Sequence, residues 1–261
     1  MNVPDLIMEN MNYGTKVYLL FCAVILLGAR IAFPQGTLHA ELAMGLDVSR
    51  GNSETVNASV DFSGAWKSAD NEFLADLLTV YGEAEETTTE DHTALEVQYN
   101  RLVTEKTYLY LNAKTERDRI ALLDYRIIAG PGIGLYPFRN RNQLLKIELG
   151  CSFVREKNRP GEQEEETPET EDHASLRATE KYEVKGKNGK VWQSLEYIPV
   201  TDDPDSFLMN AEIGLENSLT GTLSLRIVLG RRYDSNPAEG RDKNDISLRT
   251  SLVFRLAQPG N

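Results

Sequence analysis

The sequence holds two cysteines, and one of them, Cys22, lies inside an apolar leader that export would remove. Cys151 then stands alone, so no internal disulfide can staple the fold. It falls on the apolar face of its segment, where the simplest role is that of a small hydrophobe. Basic charge is also scarce. Twenty-eight Lys and Arg against 40 Asp and Glu leave a formal net charge of −12, the wrong sign for a nucleic-acid binder. Long apolar runs are absent except for residues 17–29, preceded by Lys16 and closed by Arg30. That run is too short to span a bilayer as a helix and suits the core of a secretory signal. Asp5 and Glu9 sit where such a signal is normally basic, and a start at Met11 would give an ordinary one. Cleavage is expected between Ala29 and Ala40, so residues 1–36 read as leader. Phe21 before Cys22 argues against a lipoprotein cleavage site.

What is present is alternation. Near the C-terminus, Ile246, Leu248, Thr250, Leu252, Phe254 and Leu256 interleave with Ser247, Arg249, Ser251, Val253 and Arg255. Side chains alternate faces along a strand, so this segment has one apolar and one polar surface. Leu223, Leu225, Ile227 and Leu229 likewise oppose Ser224, Arg226 and Gly230. Met209, Ala211, Ile213 and Leu215 oppose Asn210, Glu212, Gly214 and Glu216. Leu145, Ile147, Leu149, Cys151 and Phe153 oppose Lys146, Glu148, Gly150 and Ser152. At the start, Leu42, Met44, Leu46 and Val48 oppose Glu41, Gly45 and Asp47; Val56, Ala58, Val60 and Phe62 oppose Asn57, Ser59, Asp61 and Ser63.

A soluble antiparallel sheet would also alternate. Length separates the two cases: many of these segments run about ten residues, enough for a tilted strand to cross a bilayer, where soluble strands run about five or six. The connections decide it. Tight turns are expected at 70–71, 104–105, 139–140, 187–189 and 220–221, and long ones at 82–91, 116–122, 156–172, 201–205 and 235–245, with only 50–54 compact on the long side. Short periplasmic turns and long outer loops are the pattern of a transmembrane β-barrel. The reading is all-β: an antiparallel barrel of twelve strands over 37–256, both termini at the short-turn end, and a tail at 257–261. Three places fit poorly. Pro131 removes a ladder donor and predicts a bulge, Glu180 lands on the apolar face, and 191–199 alternates weakly, so the register could slip there.

Three stretches resemble a family. They are Arg50-Gly51-Asn52-Ser53-Glu54-Thr55; Glu116-Arg117-Asp118 with Leu123-Asp124-Tyr125-Arg126 and Gly130-Pro131-Gly132-Ile133-Gly134; and Tyr233-Asp234-Ser235-Asn236-Pro237 with Asp245. With the strand layout they make the chain, over about 38–256, similar to the domain-of-unknown-function family 481 of salt-induced outer-membrane proteins. The resemblance implies an outer-membrane barrel of uncharacterised activity, with an osmotic-stress connection, and brings no catalytic residues. The C-terminus departs from the usual barrel ending, since Phe254 is followed by seven further residues rather than closing the last strand.

The remaining motifs are weak as chemistry. Gly130, Gly132 and Gly134 do not form a phosphate loop, because that fingerprint needs a helix directly after the glycines; at period 2 all three face inward, leaving space or letting the wall bend. Glu90-Asp91-His92 and Glu171-Asp172-His173 echo each other, each opening a strand, but no spacing supplies a nucleophile and oxyanion site or converging metal ligands. No catalytic residue, metal site or cofactor is expected, and an enzyme acting at the rim is the rival reading. The acidic clusters at 83–91 and 162–172 read as solvated loops, with divalent-cation bridging at a lipopolysaccharide surface as the functional alternative. Asp47, Asp61, Glu96, Glu148, Glu196 and Glu212 share the interior with Arg126, Lys146, Arg177, Lys181, Arg226, Arg249 and Arg255. They form either a salt-bridged filling or the lining of a narrow pore, since charged rings set selectivity and twelve strands lie between filled and open barrels. The expected partners are outer-membrane lipid, lipopolysaccharide and the barrel assembly machinery. A third role, adhesion or envelope integrity through the acidic loops, stays open.

Overall fold

The computed structural model describes residues 36–49, 55–159 and 170–257, with the side chains of 47–49 and 257 left aside. The leader, the first outer connection, most of the 162–172 acidic cluster and the tail after 257 lie outside the described residues. Among those described, twelve antiparallel strands close into one barrel. They are β1 Thr37–Ser49, β2 Thr55–Lys67, β3 Asn71–Ala84, β4 Thr87–Leu102, β5 Thr107–Asp118 and β6 Leu123–Arg139, then β7 Gln143–Asn158, β8 Thr170–Lys185, β9 Gly189–Pro199, β10 Phe207–Ser218, β11 Leu223–Asp234 and β12 Asn244–Ala257. Each strand pairs with its sequence neighbours. β1 closes the ring on β12 through Leu42 opposite Phe254 and Met44 opposite Leu252, so no edge remains.

The alternation maps onto the two surfaces as the sequence predicts. Ile213, Leu225, Leu229, Leu248 and Leu252 face outward and are exposed, whereas Ser224 and Val253 are buried inside. Across β1 to β4 the outward face carries Leu42, Phe62, Leu77, Leu95 and Val97, packed side by side. Cys151 is free and exposed on the outward face of β7. Glu180 is outward too, opposite Ile147 and Leu195, and accepts a hydrogen bond of 2.6 Å from Gln193.

At the turn end, three connections share one device. The side-chain oxygen of the first turn residue accepts from the backbone two and three residues on. Thr104 does so from Lys106 and Thr107, Asn140 from Asn142 and Gln143, and Thr220 from Thr222 and Leu223. Two features of the sequence reading are corrected. The connection expected over 82–91 is a tight hairpin: β3 and β4 run to Ala84 and from Thr87, and Glu85 and Glu86 hold φ of 48° and 64°. Two consecutive positive φ values give a turn whose twist matches paired strands, so the acidic segment projects as a ribbon. Similarly, β5 continues to Asp118, leaving only 119–122 as a connection. The second correction concerns β6. Ala129 opposes Phe153 and Gly132 opposes Gly150, so the register runs unshifted past Pro131. Register shifts fall instead between Leu123 and Tyr125 and between Leu135 and Phe138, the second spanning Pro137.

Candidate functional site

The interior is built from the inward positions of all twelve strands. At the turn end three carboxylates, Glu72, Glu148 and Glu216, are at most 2% exposed. Burying a carboxylate is tolerated only with compensation, and each has it. Glu72 accepts from Tyr136 at 2.7 Å and Asn100 at 3.1 Å, and also pairs with Arg139 and Lys67. Glu148 accepts from Tyr108 and Gln98, both at 2.7 Å, and pairs with Lys146 at 3.1 Å and Arg177 at 3.4 Å. Glu216 pairs with Arg226 at 2.8 Å, Arg255 at 3.4 Å and Lys190 at 3.5 Å.

The inward glycines belong to this filling. Tyr108 and Tyr110 of β5 lie opposite Gly134 and Gly132 of β6, and their rings occupy the space where side chains would be. A Cβ on Gly134 would come within 2.1 Å of Tyr108 Cζ, and one on Gly132 within 2.3 Å of Tyr110 Cζ. Trp192 covers Gly214 in the same way, within 1.9 Å, and donates to Glu212 at 2.8 Å. The glycines therefore accept aromatic rings flat against the wall rather than leaving open space.

Midway, braces cross the barrel. Arg177 on β8 reaches Glu96 on β4 at 3.1 Å and Glu196 on β9 at 2.7 Å. Lys114 on β5 reaches Glu196 at 3.6 Å. These ties occupy the interior between β4 and β9. Beside them lies a cavity of about 790 Å³ whose wall includes the tie residues Glu96, Lys114, Arg177 and Glu196 and also Asp61, Asp76, Lys181, Glu212 and Arg249, with Leu74 and Leu78 among its apolar parts. On its β10–β12 wall Arg249 pairs with Glu212 at 3.5 Å.

At the loop end, two arginines span the mouth. Arg232 of β11 donates to Asp118 of β5 at 2.8 Å and meets His92 Nδ1 of β4 at 2.5 Å. Arg126 of β6 donates to Asp234 of β11 at 2.6 Å and to Glu116 at 3.1 Å, and also pairs with Glu156. In the ring of twelve, β5 and β11 stand opposite. On the far side of these ties from the large cavity is a recess of about 430 Å³, lined by Arg126, His173, Asp202, Asp203, Phe207 and Asp234.

Of the interior residues expected from sequence, Asp61, Glu96, Arg126, Lys146, Glu148, Arg177, Glu196, Glu212, Arg226, Arg249 and Arg255 take part in interior hydrogen bonds or ion pairs. Lys181 lines the large cavity. Asp47 opposes Asn57 in the ladder, and its side chain lies outside the described residues. The two histidine motifs do not come together. His92 borders the large cavity and His173 the recess, and the His92 ring nitrogen is taken up by Arg232 and Asp118 rather than by a serine or threonine hydroxyl. Among the described residues, no group of three or more His, Cys, Asp or Glu side chains is placed to hold a metal ion. Sequence reading missed Asp76, Asp118, Asp234 and Arg232. Asp118 and Asp234 lie in the quoted motif stretches, but the motifs carry no sign that Arg232 would reach the first and Arg126 the second across the mouth.

The family model for a protein of unknown function, DUF481, matches residues 42–256. The chain belongs to this family. No curated protein matches it. Among solved structures, the NanC porin is similar with a TM-score of 0.52 at 10% identity, covering 84% of this chain and 100% of that one. The translocator domain of the autotransporter NalP from Neisseria meningitidis is similar with a TM-score of 0.51 at 10% identity, covering 93% of this chain and 98% of that one. At these identities the likeness is one of fold.

Proposed function

We propose that this protein is an outer-membrane barrel with loops outward and turns in the periplasm, and that its interior serves as a narrow polar pore. An outward face set with Leu109, Leu149, Ile213 and Leu248, each at least half exposed, suits lipid and not water. The observation that carries the pore reading is the cavity of about 790 Å³, whose charged walls include Asp61, Asp76 and Lys181. Ionised groups beside a void of that size need water in it. The braces and buried carboxylates then form the constriction toward the periplasm. In this reading the chain works without catalysis or cofactor, meets lipopolysaccharide through its outer ribbon and loops, and reaches the membrane through a cleaved leader and the assembly machinery. The acidic loops would attract divalent cations, and a link to osmotic stress rests on the family resemblance alone. A second reading, a barrel that only strengthens the envelope, is favoured by the density of braces between β4 and β9. Planar-bilayer recording of refolded protein separates the two. Small, reproducible single-channel steps are expected; their absence from protein that is folded, as judged by its changed gel mobility on boiling, would leave the envelope role.

A further inference from the structure

Three segments far apart in sequence meet at the outer mouth: 116–118, Arg126, and 232–234. Arg232 ties β11 to β4 and β5 through His92 and Asp118. Two residues along the same strand, Asp234 receives Arg126 from β6. Arg126 is held from its own side by Glu116 and Glu156, and Arg232 by Asp245 of β12 at 3.3 Å. All these groups sit on inward positions of the ladder, so the row runs across the opening rather than along the wall. It also divides space. His92, Asp118 and Arg232 line the large cavity, whereas Arg126, Glu156 and Asp234 line the recess.

We infer that Arg126 and Arg232, with Asp118 and Asp234, form a crossbar that sets the size of solute able to enter the vestibule from outside. Each arginine donates to carboxylates on both sides of the opening, and a guanidinium bonded to several carboxylates is held in one geometry. The bar is therefore a fixed sieve. Entry to the large cavity passes between it and the 240–242 segment, whose Gly240, Arg241 and Asp242 also line the cavity. Removing the bar would join the cavity to the recess and widen the entrance. The inference rests on the pore reading for the purpose of the sieve, but its test does not require current to flow.

The test places a thiol below the bar, as Asp76→Cys with Cys151→Ser, in the full barrel refolded into vesicles with the loops outside. Labelling is followed with a small trimethylammonium methanethiosulfonate and with a bulky fluorescein maleimide. With the bar intact, the small reagent should react readily and the bulky one slowly. In Arg126→Met/Arg232→Met the bulky reagent should speed up by roughly tenfold, equivalent to about 1.4 kcal/mol off the entry barrier, while the small one changes little. Arg232→Ala alone, which removes a side chain already 40% exposed, keeps the question open to experiment should the double variant misfold, and should give a smaller gain of the same kind. Unchanged bulky-reagent labelling in folded Arg232→Ala, or equal acceleration of both reagents, would overturn the crossbar. Labelling that behaves as expected in a barrel without conductance steps would keep the crossbar and discard the through-pore.

Discussion

The tyrosine-over-glycine packing makes a sharp demand on Gly134. Tyr108 is fully buried, packs against Tyr136 at an interplanar angle of 31° with centroids 4.7 Å apart and donates to Glu148 at 2.7 Å. An alanine at 134 would place its Cβ 2.1 Å from the ring, so the ring must leave. Overpacking of this kind costs about 1–3 kcal/mol. Losing a hydrogen bond to a charged acceptor adds about 1.5–3 kcal/mol, so Gly134→Ala should destabilise the barrel by roughly 2.5–6 kcal/mol. Tyr108→Phe removes only the hydroxyl and leaves Glu148 its bonds to Gln98, Lys146 and Arg177. It should cost about 1.5–3 kcal/mol, the worth of that hydrogen bond alone. The decisive measurement is a double-mutant cycle by urea unfolding in detergent. In Tyr108→Ala/Gly134→Ala the new methyl enters space the ring has vacated, so the double variant should be clearly more stable than the sum of the singles predicts. Additive costs, or a Gly134→Ala barrel as stable as the parent, would show that the ring does not lie on this glycine.

The faces of the strands were legible because the exterior and interior differ in solvent, and period-2 alternation records that difference residue by residue. The hairpin at Glu85-Glu86 was not, because a strand that projects beyond the apolar band has no reason to alternate. Thr87, Thr88 and Glu90 pair on in the ladder, with a register shift at Thr89, while reading as loop. The glycine packing could have been found. Partners across the β5–β6 hairpin sum to 242, as in Tyr108 opposite Gly134 and Tyr110 opposite Gly132, so a register for one hairpin places each ring over a glycine. Pro131 misled because a missing donor suggests a bulge, whereas the chain keeps its register there and shifts it between Leu123 and Tyr125 and between Leu135 and Phe138. The mouth-spanning ties were out of reach. Arg126 was assigned to the interior correctly, yet its bond to Asp234, 108 positions on, depends on the width of a closed barrel and not on any local pattern.

Two further outcomes bear on topology and register. External protease on intact cells should cut first within 162–171, a polar segment holding Pro168 and of the kind proteases prefer; cleavage confined to 187–189 would invert the orientation. The register of β12 is tested by two neighbouring arginines. Leu252 faces outward opposite Met44 and Leu225 and is 41% exposed, so in a bilayer Leu252→Arg meets hydrocarbon and should cost roughly 2–4 kcal/mol near the midplane. Ser251 faces inward opposite Arg226, whose guanidinium pairs with Glu41, Asp61 and Glu216. Lys190 and Arg255 also pair with Glu41 and Glu216, so Ser251→Arg adds a fourth cation to three carboxylates, but one with access to water. Unfolding in urea should shift less than for Leu252→Arg, while any conductance should change. Reversed costs would mean that β12 is displaced by one residue, and equal tolerance of both would mean that its outward face does not meet lipid.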